Sequence, residues 1–188
     1  MLIFIHGFNS AGNGDKAKRL RSEFTDIKVL TPTCPFEPAA AITMLSELIG
    51  QALHQGDKPV IAGSSLGGFY AAHLAHRFAL PSILINPLID QTLLRHETGP
   101  QTNYYTGETY EWNLDHCAQL DHMVIAPAAL AYKPLLLLDE ADELLDSHLA
   151  ASHYANLAET RLFPGGSHRF EHMDEAIPLM RSYIARHS

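Results

Sequence analysis

The sequence predicts an α/β protein in which a mostly parallel sheet of about six strands carries helices on both faces. Short apolar runs alternate along the chain with longer amphipathic segments, as in a sheet whose parallel strands are joined by helical crossovers. The chain has 188 residues, of which 46% are apolar, so it is long enough to bury a sizeable core. We therefore expect a single domain over residues 1–188.

Each expected strand is a short run of residues that favour extended structure. The runs at the first, third, fourth and fifth positions are apolar along their length, which is typical of strands buried on both faces. In chain order, the expected strands span residues 2–6, 28–31, 59–62, 82–86, 135–139 and 160–163.

Amphipathic segments between and after these strands are expected to be helices. In the second segment, Ile42, Leu45 and Ile49 recur at helical spacing and form one apolar stripe. Gly56 then follows in the position that a helix C-cap prefers. The expected helices span residues 15–24, 39–55, 66–78, 144–157 and 173–185.

The segment 88–132 is an unusually long connection between two expected strands. It has weak periodicity and includes a polar, aromatic stretch at residues 103–112. Connections of this length in a compact domain are usually functional. We therefore expect a lid-like or cap-like insertion that passes over the sheet.

The charge balance limits the classes of partner. The chain carries 13 Lys and Arg against 21 Asp and Glu, a formal net charge of −8, which disfavours binding to nucleic acid or an anionic membrane. No apolar run approaches the roughly 20 residues of a membrane helix, and the start lacks the basic region of a signal peptide. Two cysteines, Cys34 and Cys117, are too few for a disulfide scaffold. We expect a cytoplasmic protein with reduced thiols.

The strongest motif is a G-x-S-x-G match formed by Gly63, Ser65 and Gly67. It lies between an apolar strand and an apolar helix, which is the context that a nucleophile elbow requires. The sharp turn would leave Ser65 strained and exposed at the start of the helix, with glycines on both sides to avoid clashes. Ser64 fits less well, because centring the motif there would require glycine at Ala62.

A nucleophilic serine needs a base and an acid, which follow it along the chain in this type of site. His168 lies after the glycine pair 165–166, between the last strand and the last helix, and is the expected base. Asp142 is the favoured acid, because it lies a few residues past a strand end and can reach a histidine on the adjacent loop. The other acids near this strand end are Asp139, Glu140 and Asp146.

Two backbone amides are expected to form an oxyanion hole. Leu66 follows the serine and supplies the first amide. Phe8 supplies the second from the loop after the first strand, where Gly7 lets the chain turn. We expect His6 to fix this loop by hydrogen bonds rather than to take part in catalysis.

Other patterns favour competing functions only weakly. Residues 12–17 match G-x-G-x-x-A but begin well after the first strand, and no acidic residue ends the second strand, so dinucleotide binding is disfavoured. A phosphate-binding P-loop motif is absent. One polar cluster lacks zinc-type spacing and comprises His116, Cys117, Asp121 and His122.

A small basic cluster marks the first expected helix. It comprises Lys16, Lys18, Arg19 and Arg21. The simplest interpretation is a solvated helix face, and the alternative is a contact with an anionic substrate tail.

Taken in order, these stretches resemble the YqiA-like esterases, small bacterial members of the α/β-hydrolase superfamily. The resemblance implies a three-layer α/β-hydrolase fold, hydrolysis of carboxylic esters, and acyl-CoA thioesters as a further substrate class. It also implies that Ser65 is the nucleophile, Asp142 the acid and His168 the base. Ala141 departs from the family pattern, which tends to have glycine before the acid. The matching stretches are residues 6–10, 63–70, 86–87, 105–107, 142–146 and 165–168.

We therefore expect a serine hydrolase that cleaves esters of short to medium acyl chains through an acyl-enzyme, without a metal or organic cofactor. Its partner would be a small ester or acyl-CoA, and the protein would be a monomer or homodimer. The alternatives are an acyl-CoA thioesterase, a peptidase, or a non-catalytic binding protein on a hydrolase scaffold. The complete set of Ser65, Asp142 and His168 argues against the last of these.

Overall fold

A computed structural model describes residues 1–187 and contains a parallel sheet with the predicted strands. Within this part of the chain, six strands pair in the order β2-β1-β3-β4-β7-β8, and β5 and β6 form a separate antiparallel hairpin. The fold class predicted from the sequence is thus confirmed. The strands are Leu2–Ile5 (β1), Val29–Leu30 (β2), Val60–Ser65 (β3), Ser82–Pro87 (β4), Gly99–Thr102 (β5), Thr109–Trp112 (β6), Leu135–Asp139 (β7) and Glu159–Phe163 (β8).

Helices cover both faces of this sheet, because successive strand residues point to opposite sides. Ile3 and Ile5 pack with the second, third, fourth and fifth helices, whereas Leu2 and Phe4 pack with the first and last helices. The result is two apolar layers separated by the sheet. The helices are Asp15–Glu23 (α1), Pro38–His54 (α2), Leu66–Phe78 (α3), Leu114–Asp121 (α4), Ser147–His153 (α5) and Met173–His187 (α6).

The strand order places two loops side by side at one edge of the sheet. β1 lies between β2 and β3, so the direction of winding reverses between β1 and β3. In open α/β sheets, ligands bind at the carboxyl ends of the strands where this reversal occurs. The loop after β1 and the turn from β3 into α3 meet at this point.

The helix expected over residues 144–157 was wrong at both ends, since α5 spans only Ser147–His153. At its start, the Leu144 and Leu145 amides donate to the Asp142 carboxylate, each at 2.9 Å, so they are used in a turn. Asp146 then caps α5 by accepting the Leu149 amide at 3.0 Å. Side chains that bind nearby amides compete with helix formation in this way.

The long connection 88–132 is an ordered cover built around the β5–β6 hairpin and α4. Two hydrogen bonds join it to the loop after β1. The Asn103 side chain donates to the Ser10 carbonyl at 2.7 Å, and the Tyr104 amide donates to the Asn9 carbonyl at 3.0 Å. Trp112, the last residue of β6, is fully buried. Among residues 1–187, no helix has the length and apolar character needed to cross a membrane.

Candidate active site

Ser65 lies at a strained turn between β3 and α3. Its φ of 56° and ψ of −124° are rare for a residue with a side chain and lift Ser65 out of the strand. The turn depends on close backbone approach at both neighbouring glycines. A Cβ atom on Gly63 would lie 2.0 Å from the Gly67 carbonyl oxygen, and one on Gly67 would lie 2.1 Å from that of Ile5.

The three side chains predicted to form a triad are joined by hydrogen bonds. His168 Nε2 lies 3.1 Å from Ser65 Oγ, within range to accept the hydroxyl proton. His168 Nδ1 lies 2.9 and 3.0 Å from the two carboxylate oxygens of Asp142 and donates to that carboxylate. These residues come from the ends of β3, β7 and β8, which are neighbours or near neighbours in the sheet.

The Asp142 carboxylate is held in an environment that favours its charged form. Its side chain is only 1% exposed, and this burial raises the pKa. Hydrogen bonds from His168 and from the Leu145 and Leu144 amides outweigh burial and hold the pKa of Asp142 below its usual value. Asp142 is therefore an anion at neutral pH, facing the imidazole.

Glu143 supports the backbone of the histidine loop. Its carboxylate accepts the His168 amide at 2.8 Å, and this bond lowers the pKa of Glu143. The residue was not singled out by the sequence analysis. No local spacing pattern connects a side chain with the amide of a residue so distant in the chain.

Asp139, an alternative acid in the sequence analysis, holds the histidine loop instead of contacting His168. Its side chain is 0% exposed. One oxygen accepts the Ser167 and Glu171 amides at 3.2 and 2.7 Å, and the other lies 2.8 Å from His172 Nδ1. A Cβ atom on Gly166 would lie 2.0 Å from the Asp139 carboxylate, so the loop passes it very closely.

Asn86 connects β4 to the same loop. It has a left-handed φ of 39° and is 2% exposed. Its side-chain oxygen accepts the Asp139 amide at 2.9 Å, and its side-chain nitrogen donates to the Ser167 carbonyl at 3.0 Å. The roles of Asn86, Asp139 and His172 were missed, although an acid that ends an apolar strand is a signal that could have identified Asp139.

Replacing Asp139 with alanine should destabilise the protein, because it leaves two loop amides and His172 without their buried acceptor. We expect the free energy of unfolding to fall by about 3 kcal/mol. Urea denaturation measures this change. The neighbouring exposed acid gives a matched control, Glu140→Ala, for which a change within about 0.5 kcal/mol is expected. Equal stability of the two variants would contradict the role assigned to Asp139.

The loop after β1 lies directly against the serine. A Cβ atom on Gly7 would lie 3.2 Å from Ser65 Cβ and 3.7 Å from its Oγ. The following residue, Phe8, packs its ring edge-on against Trp112, with ring centres 5.1 Å apart. Leu66 is the first residue of α3, so its amide lies at the helix N-terminus beside Ser65.

His6 fixes the conformation of this loop. Its Nδ1 donates to the Gly7 carbonyl at 2.9 Å, and its Nε2 accepts the Cys34 amide at 2.9 Å. This pattern requires a neutral ring. Burial lowers the pKa of His6, and the bond to Gly7 opposes this only in part, so the neutral form is favoured.

A cavity of about 480 Å³ opens beside Ser65 and His168. Its wall includes the loop after β1, the start of α1, and Tyr104 and Tyr105 from the long connection. The polar cluster considered for a metal lies elsewhere: His116 closes the capping box of α4, and Asp121 pairs with Arg95 at 2.8 Å. In the described part of the chain, no group of three or more potential metal ligands is found.

The architecture is that of the α/β-hydrolase fold, as solved structures of similar shape show. Est1E from Butyrivibrio proteoclasticus matches with a TM-score of 0.76 and 16% identity, over 98% of this chain and 88% of that chain. A monoacylglycerol lipase from Paleococcus ferrophilus matches with a TM-score of 0.72 and 12% identity, over 100% of this chain and 94% of that chain. At these identities, the likeness establishes the fold.

The family follows from the sequence itself. The model of the uncharacterised protein family UPF0227 matches residues 1–185, and this chain belongs to that family, which confirms the YqiA-like resemblance. A UPF0227 protein of Shewanella oneidensis is 24% identical over 186 residues, covering 97% of this chain and 98% of the relative. Another UPF0227 protein, from Citrobacter koseri, is 22% identical over 193 residues, covering 97% of this chain and 98% of the relative.

Proposed function

We propose that this protein is a serine hydrolase that cleaves carboxylic esters. The observation that carries the proposal is the continuous hydrogen-bonded chain from Ser65 Oγ through His168 to Asp142, at the wall of an open cavity. The monoacylglycerol lipase among the structural neighbours favours the same class of reaction. Because fold alone does not define function, the side-chain geometry is the stronger support.

In the first half of the reaction, Ser65 Oγ attacks the ester carbonyl carbon while His168 Nε2 takes the hydroxyl proton. The resulting tetrahedral intermediate collapses as the bond to the alcohol oxygen breaks. His168 gives its proton to that oxygen, so the alcohol leaves neutral and the acyl group stays on Ser65. The Asp142 carboxylate orients the imidazole and stabilises its charged form.

In the second half, water replaces the alcohol. His168 takes a proton from this water as its oxygen attacks the acyl carbon, and then returns the proton to Ser65 as the acid leaves. Each half passes through an intermediate with a negatively charged oxygen. The Phe8 and Leu66 amides would donate to that oxygen, because Gly7 lies against Ser65 and Leu66 begins α3.

The size of the cavity supports the proposal that the substrate is an ester of a short to medium acyl chain. Its volume of about 480 Å³ lies within the range of sites for small organic ligands. The serine supplies the nucleophile, the histidine transfers the proton and the amides stabilise the oxyanion. The proposed chemistry thus uses no metal or organic cofactor.

A comparison of acyl donors under one set of conditions tests the proposed substrate class. We expect p-nitrophenyl butanoate and hexanoate to be hydrolysed with larger kcat/KM than a peptide p-nitroanilide, because an amide leaving group is harder to expel. The butanoyl-CoA rate from the same preparation distinguishes an esterase from a thioesterase. Turnover of the anilide alone would indicate a peptidase, and binding of esters without turnover would indicate a non-catalytic binding protein.

A further inference from the structure

Basic side chains are concentrated in the cavity of a protein that is otherwise acidic. The chain carries a formal net charge of −8. The cavity wall nevertheless includes Lys16, Arg19 and Arg169, whereas Asp15 is the one acidic residue of that wall among residues 1–187. Two carboxylates outside the wall, Asp139 and Asp142, also act on Lys16. The basic cluster of the first helix, interpreted above mainly as a solvated face, thus contributes two of its members to the site.

Two of these cations are available to a ligand. Lys16 Nζ donates to the Arg169 carbonyl at 2.7 Å, and its other two hydrogens remain for further acceptors. The Arg169 guanidinium has no carboxylate partner among residues 1–187, and Arg169 directly follows His168 in the chain. Arg19 is already paired with Asp174 at 2.6 Å and with Glu23 at 3.1 Å.

We propose that Lys16 and Arg169 bind an anionic group of the substrate, so that preferred substrates are esters carrying a second carboxylate or a phosphate. The inference rests on the proposed esterase function and deepens it. A guanidinium matches the geometry of both oxyanions, and an ammonium adds a compact positive charge beside it. The bond from Lys16 Nζ to the Arg169 carbonyl holds the ammonium beside the histidine loop, and both residues line the cavity.

The surroundings of Lys16 give the proposed contact a pH dependence. Burial lowers the pKa of Lys16 to about 8, although Asp139, Asp15 and Asp142 raise it and Arg169 lowers it further. The lysine is charged below this pH and neutral above it. Any preference for an anionic ester should therefore weaken as the pH rises through about 8.

Matched ester pairs test the inference. The p-nitrophenyl monoester of adipic acid and p-nitrophenyl hexanoate have the same leaving group and acyl length but differ in one carboxylate. We expect kcat/KM to be about 10-fold larger for the charged ester at low ionic strength, and the ratio to fall with added salt. A second pair, p-(hexanoyloxy)benzoate and its methyl ester, places the carboxylate on the alcohol side. The kcat/KM for the corresponding p-(hexanoyloxy)phenyl phosphate shows whether a phosphate or a carboxylate is preferred.

Substitutions at Arg169 and Lys18 test whether the preference for a charged ester depends on Arg169. Arg169→Glu should lower the charged-to-neutral ratio at least about 10-fold, and Arg169→Lys should retain part of it. Lys18→Glu makes the same change in net charge on an exposed part of α1 outside the cavity, and should leave the ratio unchanged. A ratio near one for both pairs in the wild type, or an unchanged ratio in Arg169→Glu, would overturn the inference and leave the esterase function standing. Absence of turnover for every ester would overturn the proposed function and the inference with it.

Discussion

Replacing Ser65 with alanine is expected to lower kcat for p-nitrophenyl hexanoate by about 10⁵-fold. The hydroxyl that lies 3.1 Å from His168 Nε2 is the only nucleophile in this hydrogen-bonded chain. Without it, no acyl-enzyme forms, and only the residual rate enhancement from the oxyanion-hole amides and substrate binding remains, about 10³- to 10⁴-fold over the uncatalysed reaction. Steady-state kinetics on the purified variant measures the loss.

Ser64→Ala is the matched control, since it removes a hydroxyl from the adjacent residue of β3. Ser64 is buried, outside the triad, and does not bind His168. We expect kcat to stay within a few fold of the wild-type value. A comparable loss in both variants would show that the elbow had been disturbed, and retention of activity in Ser65→Ala would exclude this serine as nucleophile.

Replacing Asp142 with asparagine is expected to lower kcat by about 10⁴-fold. Asparagine has nearly the same shape but lacks the charge that stabilises a protonated His168, and its amide can hold the ring in the wrong tautomer. Hydrogen bonds keep the pKa of Asp142 below its usual value. The wild-type carboxylate is therefore ionised at neutral pH and becomes protonated only under acid conditions. Kinetics across pH should therefore show the deficit throughout the neutral range.

The control for this variant is the next residue. Glu143→Gln keeps an oxygen that can accept the His168 amide, so it should change kcat by no more than about 10-fold. Equal losses in Asp142→Asn and Glu143→Gln would mean that the loop as a whole, and not the Asp142 charge, governs the rate. Full activity in Asp142→Asn would show that the histidine works without this carboxylate.

The sequence carried enough information for the sheet and for the positions of the three site residues. Continuous apolar runs such as those of β3 and β7 could be predicted as strands, because such runs are typical of parallel strands that are buried on both faces. The turn at Ser65 could be predicted because its neighbouring positions must be glycine. A Cβ atom on Gly67 would lie 2.1 Å from the Ile5 carbonyl oxygen, too close for any side chain. Asp142 was favoured over its neighbours from its distance past the strand end, and it does lie against His168.

The remaining features depend on contacts that no local pattern specifies. The segment 88–132 showed weak periodicity because its hairpin packs on a loop instead of the sheet, through Asn103 and Ser10. The position of Asp139 at the end of an apolar strand marks it as unusual, but its partners are backbone amides of a distant loop, which no local pattern specifies. Lys16 resembled a surface lysine because only the tertiary fold brings it to the Arg169 carbonyl.

The most direct measurement of the central claim, an activated serine at Ser65, is labelling with a fluorophosphonate followed by mass spectrometry of the modified peptide. Such probes react with serines whose proton is taken by a neighbouring base, so the experiment requires no knowledge of the natural substrate. We expect stoichiometric labelling of Ser65 in the wild type and in Ser64→Ala, and none in Ser65→Ala. Failure of the folded wild-type protein to react, or a label on any other residue, would contradict the assignment.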